Sequence, residues 1–303
     1  MKYLCFDISN MLYRTFHMQH KESEDTIAGL ATHAALTTLN KYFRQHKPDK
    51  VVMAFDRPSW RKEYTNSELC VSKRLYKGDR RKNMTPSQQI KYQRFLEHVA
   101  EFERLIVEHT TIITLVGDML EADDLIAGFC QEMATPDDEI VIISSDSDLL
   151  QLQRNVNVLV ISPATDKPQS LEKYDNDPDY YLFTKCIRGD PTDNVQSAYP
   201  GVRETRIRDA YTDPYARVQL MKEHWTNENK TTFMVEDLFL ENQLLIDLEK
   251  QPQVIRDLIT ACVHESVQRE RKFSMFHMLK FVGKYKLVKI KESIDNYIAL
   301  LSK

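Results

Sequence analysis

The stretch IVIISSDSDLLQL, residues 140–152, decides the fold. Residues 140–143 are all β-branched, the composition of a strand covered on both faces. Two carboxylates, Asp146 and Asp148, follow on either side of Ser147, and an apolar segment begins directly after them. An apolar strand that ends in acids delivers them to its carboxyl end. In an open parallel sheet that edge is where ligands bind.

Four further segments read as strands: KYLCFDIS (2–9), KVVMAFD (50–56), TTIITLVG (110–117) and VNVLVIS (156–162). Helical spacing of apolar residues fills 26–46, 88–109 and 121–133 between them. Strands alternating with helices predict an α/β domain over 1–190, with a mostly parallel central sheet and helices on both faces. Helical patterns at 193–211, 231–250, 253–267 and 289–301 predict an all-helical C-terminal lobe over 191–303.

Bulk composition is that of a soluble globular chain, with 42% hydrophobic and 28% charged residues among 303. No apolar run reaches membrane-spanning length, and MKYLCFDISN is too short and polar for a signal peptide. The five cysteines (Cys5, Cys70, Cys130, Cys186, Cys262) lie far apart with no CxxC pair. Neither a zinc site nor a disulfide framework is indicated, and a reducing cytosol fits best.

Asp7 and Asp56 end the first two strands, Glu121, Asp123 and Asp124 open a helix after the third, and Asp146 and Asp148 end the fourth. Asp190 and Asp193, in RGDPTDN, can join them. Alone, each reads as a turn residue, an N-cap or a complement to a helix dipole. Gathered on one sheet edge they would repel one another unless protons or cations sat among them. Oxygen ligands without His or Cys select Mg²⁺ or Mn²⁺. Two such ions about 4 Å apart serve phosphodiester hydrolysis. The net charge of −4 argues against a nucleic-acid partner only until these nine acids are set aside. The 41 Lys and Arg then face 36 acids, a balance of +5.

Past Asp56 the chain turns polar and basic over 57–91. Residues 61–91 hold nine Lys or Arg against three acids, with Tyr64 and Tyr76 interleaved. A solvated loop is the plain reading. A cationic insert beside an acidic metal site instead suits a polyanionic substrate, with Lys73, Arg74, Lys77, Arg80 and Arg81 following phosphates and rings stacking on bases. Lys77, and Arg80 one helical turn on, can place charge against a scissile phosphate.

EADDLIAG (121–128), ISSDSDLLQL (143–152), KCIRGDPTDNV (185–195), FDIS, AFD and YKGDR (76–80) together resemble the 5′ nuclease or flap endonuclease family, in its phage branch. The motifs run in the family's order over most of the first 200 residues. The helical lobe is similar to that of the T-even phage ribonuclease H group, which removes RNA primers. The resemblance implies one metal site on Asp7, Asp56, Glu121, Asp123, Asp124 and Asp146, and a second on Asp148, Asp190 and Asp193. It implies catalytic roles for Lys77, Arg80, Asp146 and Asp148, a helical arch carrying Lys77 and Arg80, and a stacking position for Tyr76. The family also grips duplex through a helix-hairpin-helix with two glycines and a K⁺ ion. Here YPGVRETRIRDAY keeps Gly201 but has Arg203 at the second glycine position. Arg203, Arg206 and Arg208 can hold phosphates by charge instead, which leaves K⁺ an open expectation.

The expected function is a structure-specific 5′ nuclease acting on 5′ flaps, nicked duplex DNA and RNA:DNA primers in phage replication, with two Mg²⁺ or Mn²⁺ ions. A cytoplasmic monomer is expected, with a sliding clamp and a single-strand-binding protein as open partners. A PIN-type endoribonuclease would share the acidic edge but is usually shorter, without arch or lobe. A DNA-junction binding protein would not need the full acid set. A toprim-like module would not need acids from the first strand or from GDPTDN.

Overall fold

A computed structural model describes residues 1–18, 24–80, 82, 84–155 and 157–303. The central sheet contains β1 (Lys2–Asp7), β2 (Lys50–Ala54), β3 (Ile113–Leu115), β4 (Glu139–Ile143), β5 (Val158–Ser162) and β6 (Lys167–Pro168). The strand order is β3-β2-β1-β4-β5-β6, parallel except for the short β6. All five strands expected from sequence are present, and β6 adds an antiparallel edge. The chain runs outward from β1 to β3, then crosses to β4 on the other side of β1. That reversal places the switch-point crevice between the carboxyl ends of β1 and β4. The pairing of Asp7 with Ala54, and of Phe6 with Ile143, keeps those ends level.

The helices are α1 (Ile8–Met18), α2 (Glu24–His46), α3 (Trp60–Thr65), α4 (Pro86–His109), α5 (Ala122–Met133), α6 (Pro178–Arg188), α7 (Glu204–Thr212), α8 (Pro214–Met221), α9 (Val235–Ile246), α10 (Gln253–Gln268), α11 (Met275–Lys284), α12 (Val288–Glu292) and α13 (Asp295–Leu301). On one sheet face, Leu4, Phe6, Met53 and Val141 share a core with α1, α2, α4 and the closing helices α11 to α13. On the other, Cys5, Val52, Ala54 and Ile142 pack against α5 and α10. Buried on both faces, these strands are apolar throughout, which is why they were legible. A third cluster joins α6 to α9 with a hairpin of β7 (His224–Thr226) and β8 (Thr232–Met234). The C-terminal region is thus helical apart from that one hairpin.

Four local expectations need correction. The pattern over 231–250 is helical only over Val235–Ile246, because Thr232–Met234 pairs with His224–Thr226 as a strand. Residues 194–203 are not helical, and Asp193 only closes a single 3₁₀ turn from Pro191. Asn194 and Gly201 take left-handed φ of 61° and 74°, and Pro200 supplies no N–H, so the helix starts only at Glu204. The pattern over 289–301 is divided into α12 and α13. Lys77 and Arg80 do not share a helix. Lys77 has φ 53° and lies in a run of turns, between the short α3 behind its Ser59 cap and the start of α4 at Pro86. The segment folds back because buried Glu241 of α9 accepts from the Ser72 amide at 3.1 Å, while the Lys77 amide donates to the Asp193 carbonyl at 2.8 Å.

Candidate active site

The strand ends build the floor. Asp7, 5% exposed, accepts from the Asn10 amide at 2.9 Å and the Ser144 hydroxyl at 3.0 Å, which ties β1 to α1 and β4. Asp56 accepts from the Ala122 amide at 2.8 Å, and its own amide donates to Ser9 Oγ at 2.8 Å. Glu121 is the N-cap of α5, and carboxylate oxygens of Glu121, Asp123 and Asp124 lie within 4.8 Å of one another. Asp146 accepts from the Asp148 amide at 2.9 Å, the turn that aims both acids after β4. Asp190 accepts from the amides of Thr192 and Asp193 at 2.8 and 3.3 Å. Gly189 makes that loop possible. Its φ is +70°, and a Cβ there would meet the Val195 carbonyl at 2.5 Å.

Four cations reach into the acids. Lys77 Nζ lies 2.5 Å from Glu121 Oε1 and 3.4 Å from Asp193 Oδ2. Arg80 pairs with Asp193, whose Oδ2 also accepts from the Tyr76 hydroxyl at 2.7 Å. Lys185 bridges Asp148 and Asp190, 3.0 Å from the latter. Arg61 reaches Glu121 at 3.0 Å and Asp124 at 2.8 Å.

The electrostatics follow from nine acids against these four cations. Burial, and then the Asp56 charge, push the Asp7 carboxyl up to about 8. Burial and Glu121 push Asp56 up to about 6. Asp123 rises well above the carboxylate range through burial and Asp124, and Asp146 rises because burial outweighs Lys185 and Lys77. Glu121 goes the other way. Burial opposes its ionisation, but Lys77 and Arg61 together bring it down to about 2. Such surplus negative charge, on oxygen donors only, fits hard divalent cations.

All nine acids nominated from sequence meet at this edge, with Lys77 and Arg80 among them. The other nominated residues fare differently. Tyr76 is 4% exposed, lies in the apolar cluster of α6 to α9 and has Lys77 Nζ 4.8 Å and the Arg61 guanidinium 5.8 Å from its ring centre, so its ring face is not open to a base and the stacking expectation is corrected. Lys73 and Arg74 are exposed on the insert, and Arg81 lies outside the described residues. Arg206 pairs with Glu223 and Arg208 with Asp175, while Arg203 stands exposed as the N-cap of α7. Arg61, Lys185, Ser9 and Ser144 were missed. Only Lys185 left a trace, five residues before Asp190 in KCIRGD.

Residues 2–177 match the family described as 5′-3′ exonuclease, N-terminal resolvase-like domain. The DNA polymerase I of Caldicellulosiruptor bescii is 31% identical over 217 residues, covering 67% of this chain and 23% of the polymerase. The 5′-3′ exonuclease of Buchnera aphidicola is 28% identical over 215 residues, covering 67% of this chain and 66% of that protein. The chain therefore spans about a quarter of the polymerase and just under two thirds of that exonuclease. Among solved structures, the T5 D15 protein co-crystallised with metal ions superposes with a TM-score of 0.66 at 17% identity, over 88% of this chain and 100% of the other. A complex of the bacteriophage T5 D15 flap endonuclease with DNA and metal ions gives 0.65 at 18% identity, over 89% and 100%.

Proposed function

The chain belongs to the 5′-3′ exonuclease family through its N-terminal resolvase-like domain, and from that membership we propose that it is a divalent-metal-dependent 5′ nuclease acting on 5′ flaps, nicked duplex DNA and RNA:DNA primers. The observation that carries this reading is the meeting of nine carboxylates from separate segments at one sheet edge, beside a basic insert that reaches into them. Phage replication, where primers and flaps must be removed, is the setting the resemblance suggests.

In this reading Asp7, Asp56, Glu121, Asp123 and Asp146 would hold one Mg²⁺ or Mn²⁺ ion, and Asp148, Asp190 and Asp193 a second. Bound there, such ions supply Lewis acidity that activates water and offsets charge on the departing oxygen. The chain's own residues orient the reaction. Ser9 and Ser144 fix the strand-end acids. Lys185 holds Asp148 and Asp190 together. Lys77 and Arg80, paired here with Glu121 and Asp193, would turn to the phosphate, where their fixed positive charge would lower the barrier. Exposed Lys73, Arg74 and Arg203 offer further phosphate contacts. Arg206 and Arg208 can do so only by leaving Glu223 and Asp175.

The test is cleavage of end-labelled flap, nicked and RNA:DNA substrates with Mg²⁺ and with chelator. Cutting is expected only with Mg²⁺. Asp146→Asn and Asp148→Asn are expected to lose at least about 10²-fold in rate while retaining DNA binding. Undiminished cutting by both variants would falsify the site, and cleavage of plain single-stranded RNA in preference to flaps would favour a PIN-type endoribonuclease.

A further inference from the structure

Arg61 belongs to a basic, mostly exposed segment, yet it is 1% exposed and among the largest fully buried side chains. Its Nη1 donates to Asp124 Oδ2 at 2.8 Å and to Glu121 Oε2 at 3.0 Å, and its Nη2 donates to Asp124 Oδ1 at 2.8 Å. Its Nε donates to the Leu245 carbonyl at 2.7 Å, in the last turn of α9. The rings of Trp60 and Tyr76 flank it at 4.9 and 5.8 Å. The burial of this cation is offset by two carboxylates and a helix-terminal carbonyl, each of which needs a donor.

The two carboxylates differ in what remains free. Besides two bonds from Arg61, Asp124 accepts from Gln251 Nε2 at 3.1 Å and from the Glu121 amide at 3.2 Å. An ionised carboxylate offers about four acceptor positions, so those of Asp124 are filled. Glu121 is held on one side only. Its Oε2 accepts from Arg61 and, at 2.7 Å, from Ser59, while Oε1 meets the displaceable ammonium of Lys77.

We propose that Arg61 is a positioning residue and Asp124 its fixed counter-charge rather than a metal ligand, the pair locking Glu121 with Oε1 turned toward the cation site. This rests on the reading of the acidic edge as a metal centre and deepens it. The same guanidinium links the site to the end of α9, so the helical region is tied to a metal ligand through one side chain. A lysine cannot replace it. The guanidinium is a planar fork that meets two carboxylates and a carbonyl at once, and an ammonium is a point charge on a shorter reach.

The experiment measures Mn²⁺ affinity, by electron paramagnetic resonance of the free ion, together with thermal melting of the full chain. Arg61→Lys is expected to bind Mn²⁺ at least tenfold more weakly while still melting cooperatively, a loss that a merely structural role would not produce in folded protein. Asp124→Asn is expected to melt markedly lower but to lose less than threefold in Mn²⁺ affinity. Glu121→Gln is expected to show the reverse, a loss of at least tenfold with little change in melting. Wild-type affinity in folded Arg61→Lys overturns the proposal, as does an affinity loss in Asp124→Asn equal to that in Glu121→Gln. If Arg61→Lys fails to fold, the comparison of Asp124→Asn with Glu121→Gln decides alone. No loss of affinity in either Glu121→Gln or Asp7→Asn overturns the metal-centre reading itself, a result distinct from failure of the Arg61 assignment.

Discussion

Lys77 shows how a charged side chain is kept charged among acids. Burial works against its charge, but Glu121 and Asp193 outweigh burial and raise its pKa above the usual lysine value. It therefore stays an ammonium that compensates Glu121 and Asp193, and in the proposed reaction it would turn to the phosphate. Lys77→Ala is expected to slow single-turnover cleavage about 10²-fold or more while changing substrate affinity by less than about threefold. Equal losses in rate and affinity would make Lys77 a binding residue only. Seven of the nine acids were legible because each follows an apolar strand or opens a helix, and the sheet brings those points together, whereas Asp190 and Asp193 lie in the loop after α6 and were marked only by the RGDPTDN motif. Arg61 and Tyr76 were not legible. A sequence shows a charge or a ring without its partners, and Arg61 meets Glu121 60 residues away and Leu245 184 residues away. Nothing local marks either residue as buried.

At the scale of elements, strands and long helices followed from their periods, and the misses lie where tertiary contacts override a pattern. Helix α1 starts directly after β1, and Asp7 accepts from the Asn10 amide three residues on, so an acid of the proposed metal site also serves the first turn of the helix. A strand reading that ended near Asp7 did not show this. Helix α4 carries His98, 3% exposed, beside Thr32 of α2 at 2.7 Å and against the Tyr285 ring that follows α11. Burial lowers the His98 pKa to about 4, Glu101 opposing and Lys284 assisting. The folded chain thus takes this proton less readily than the unfolded chain, whose histidine titrates near 6.5. Stability from neutral His98 is complete above about pH 6.5 and is lost as pH falls toward 4, to a limit of about 3 kcal/mol. Asp7 and Asp56, raised to about 8 and 6, act in the opposite sense in metal-free protein, so the contribution is isolated by difference. Denaturant titrations of wild type and His98→Gln between pH 4.5 and 7.5 are expected to diverge, with wild type losing about 2 kcal/mol more on acidification. Parallel curves would show that His98 does not carry this proton linkage.

For the whole molecule, the α/β plan was legible and the path of the last helices was not. The helical pattern over 289–301 announces a helix but not the surface that the closing helices cover. In the structure that surface is the sheet face shared with α1, α2 and α4, and the Leu301 carbonyl even accepts from the Thr111 amide at 2.9 Å, just before β3. The acids all lie within the first 193 residues, so a reading from the site alone suggests that a shortened chain would still cut. Packing says otherwise. Met278, Phe281, Val282, Leu287, Ile290, Tyr297, Leu300 and Leu301 are each at most 7% exposed and belong to the core beneath β1 and β2. At roughly 1.5–3 kcal/mol for each large apolar side chain fully buried, their removal forfeits more than about 10 kcal/mol. A domain's whole margin is only about 5–15 kcal/mol. A chain ending at Ser274 is therefore expected to be insoluble or to lack a cooperative melt, and to show no Mg²⁺-dependent cleavage. A soluble 1–274 fragment that melts within a few degrees of the full chain and cuts at its rate would mean that α11 to α13 only cover a sheet that is stable without them.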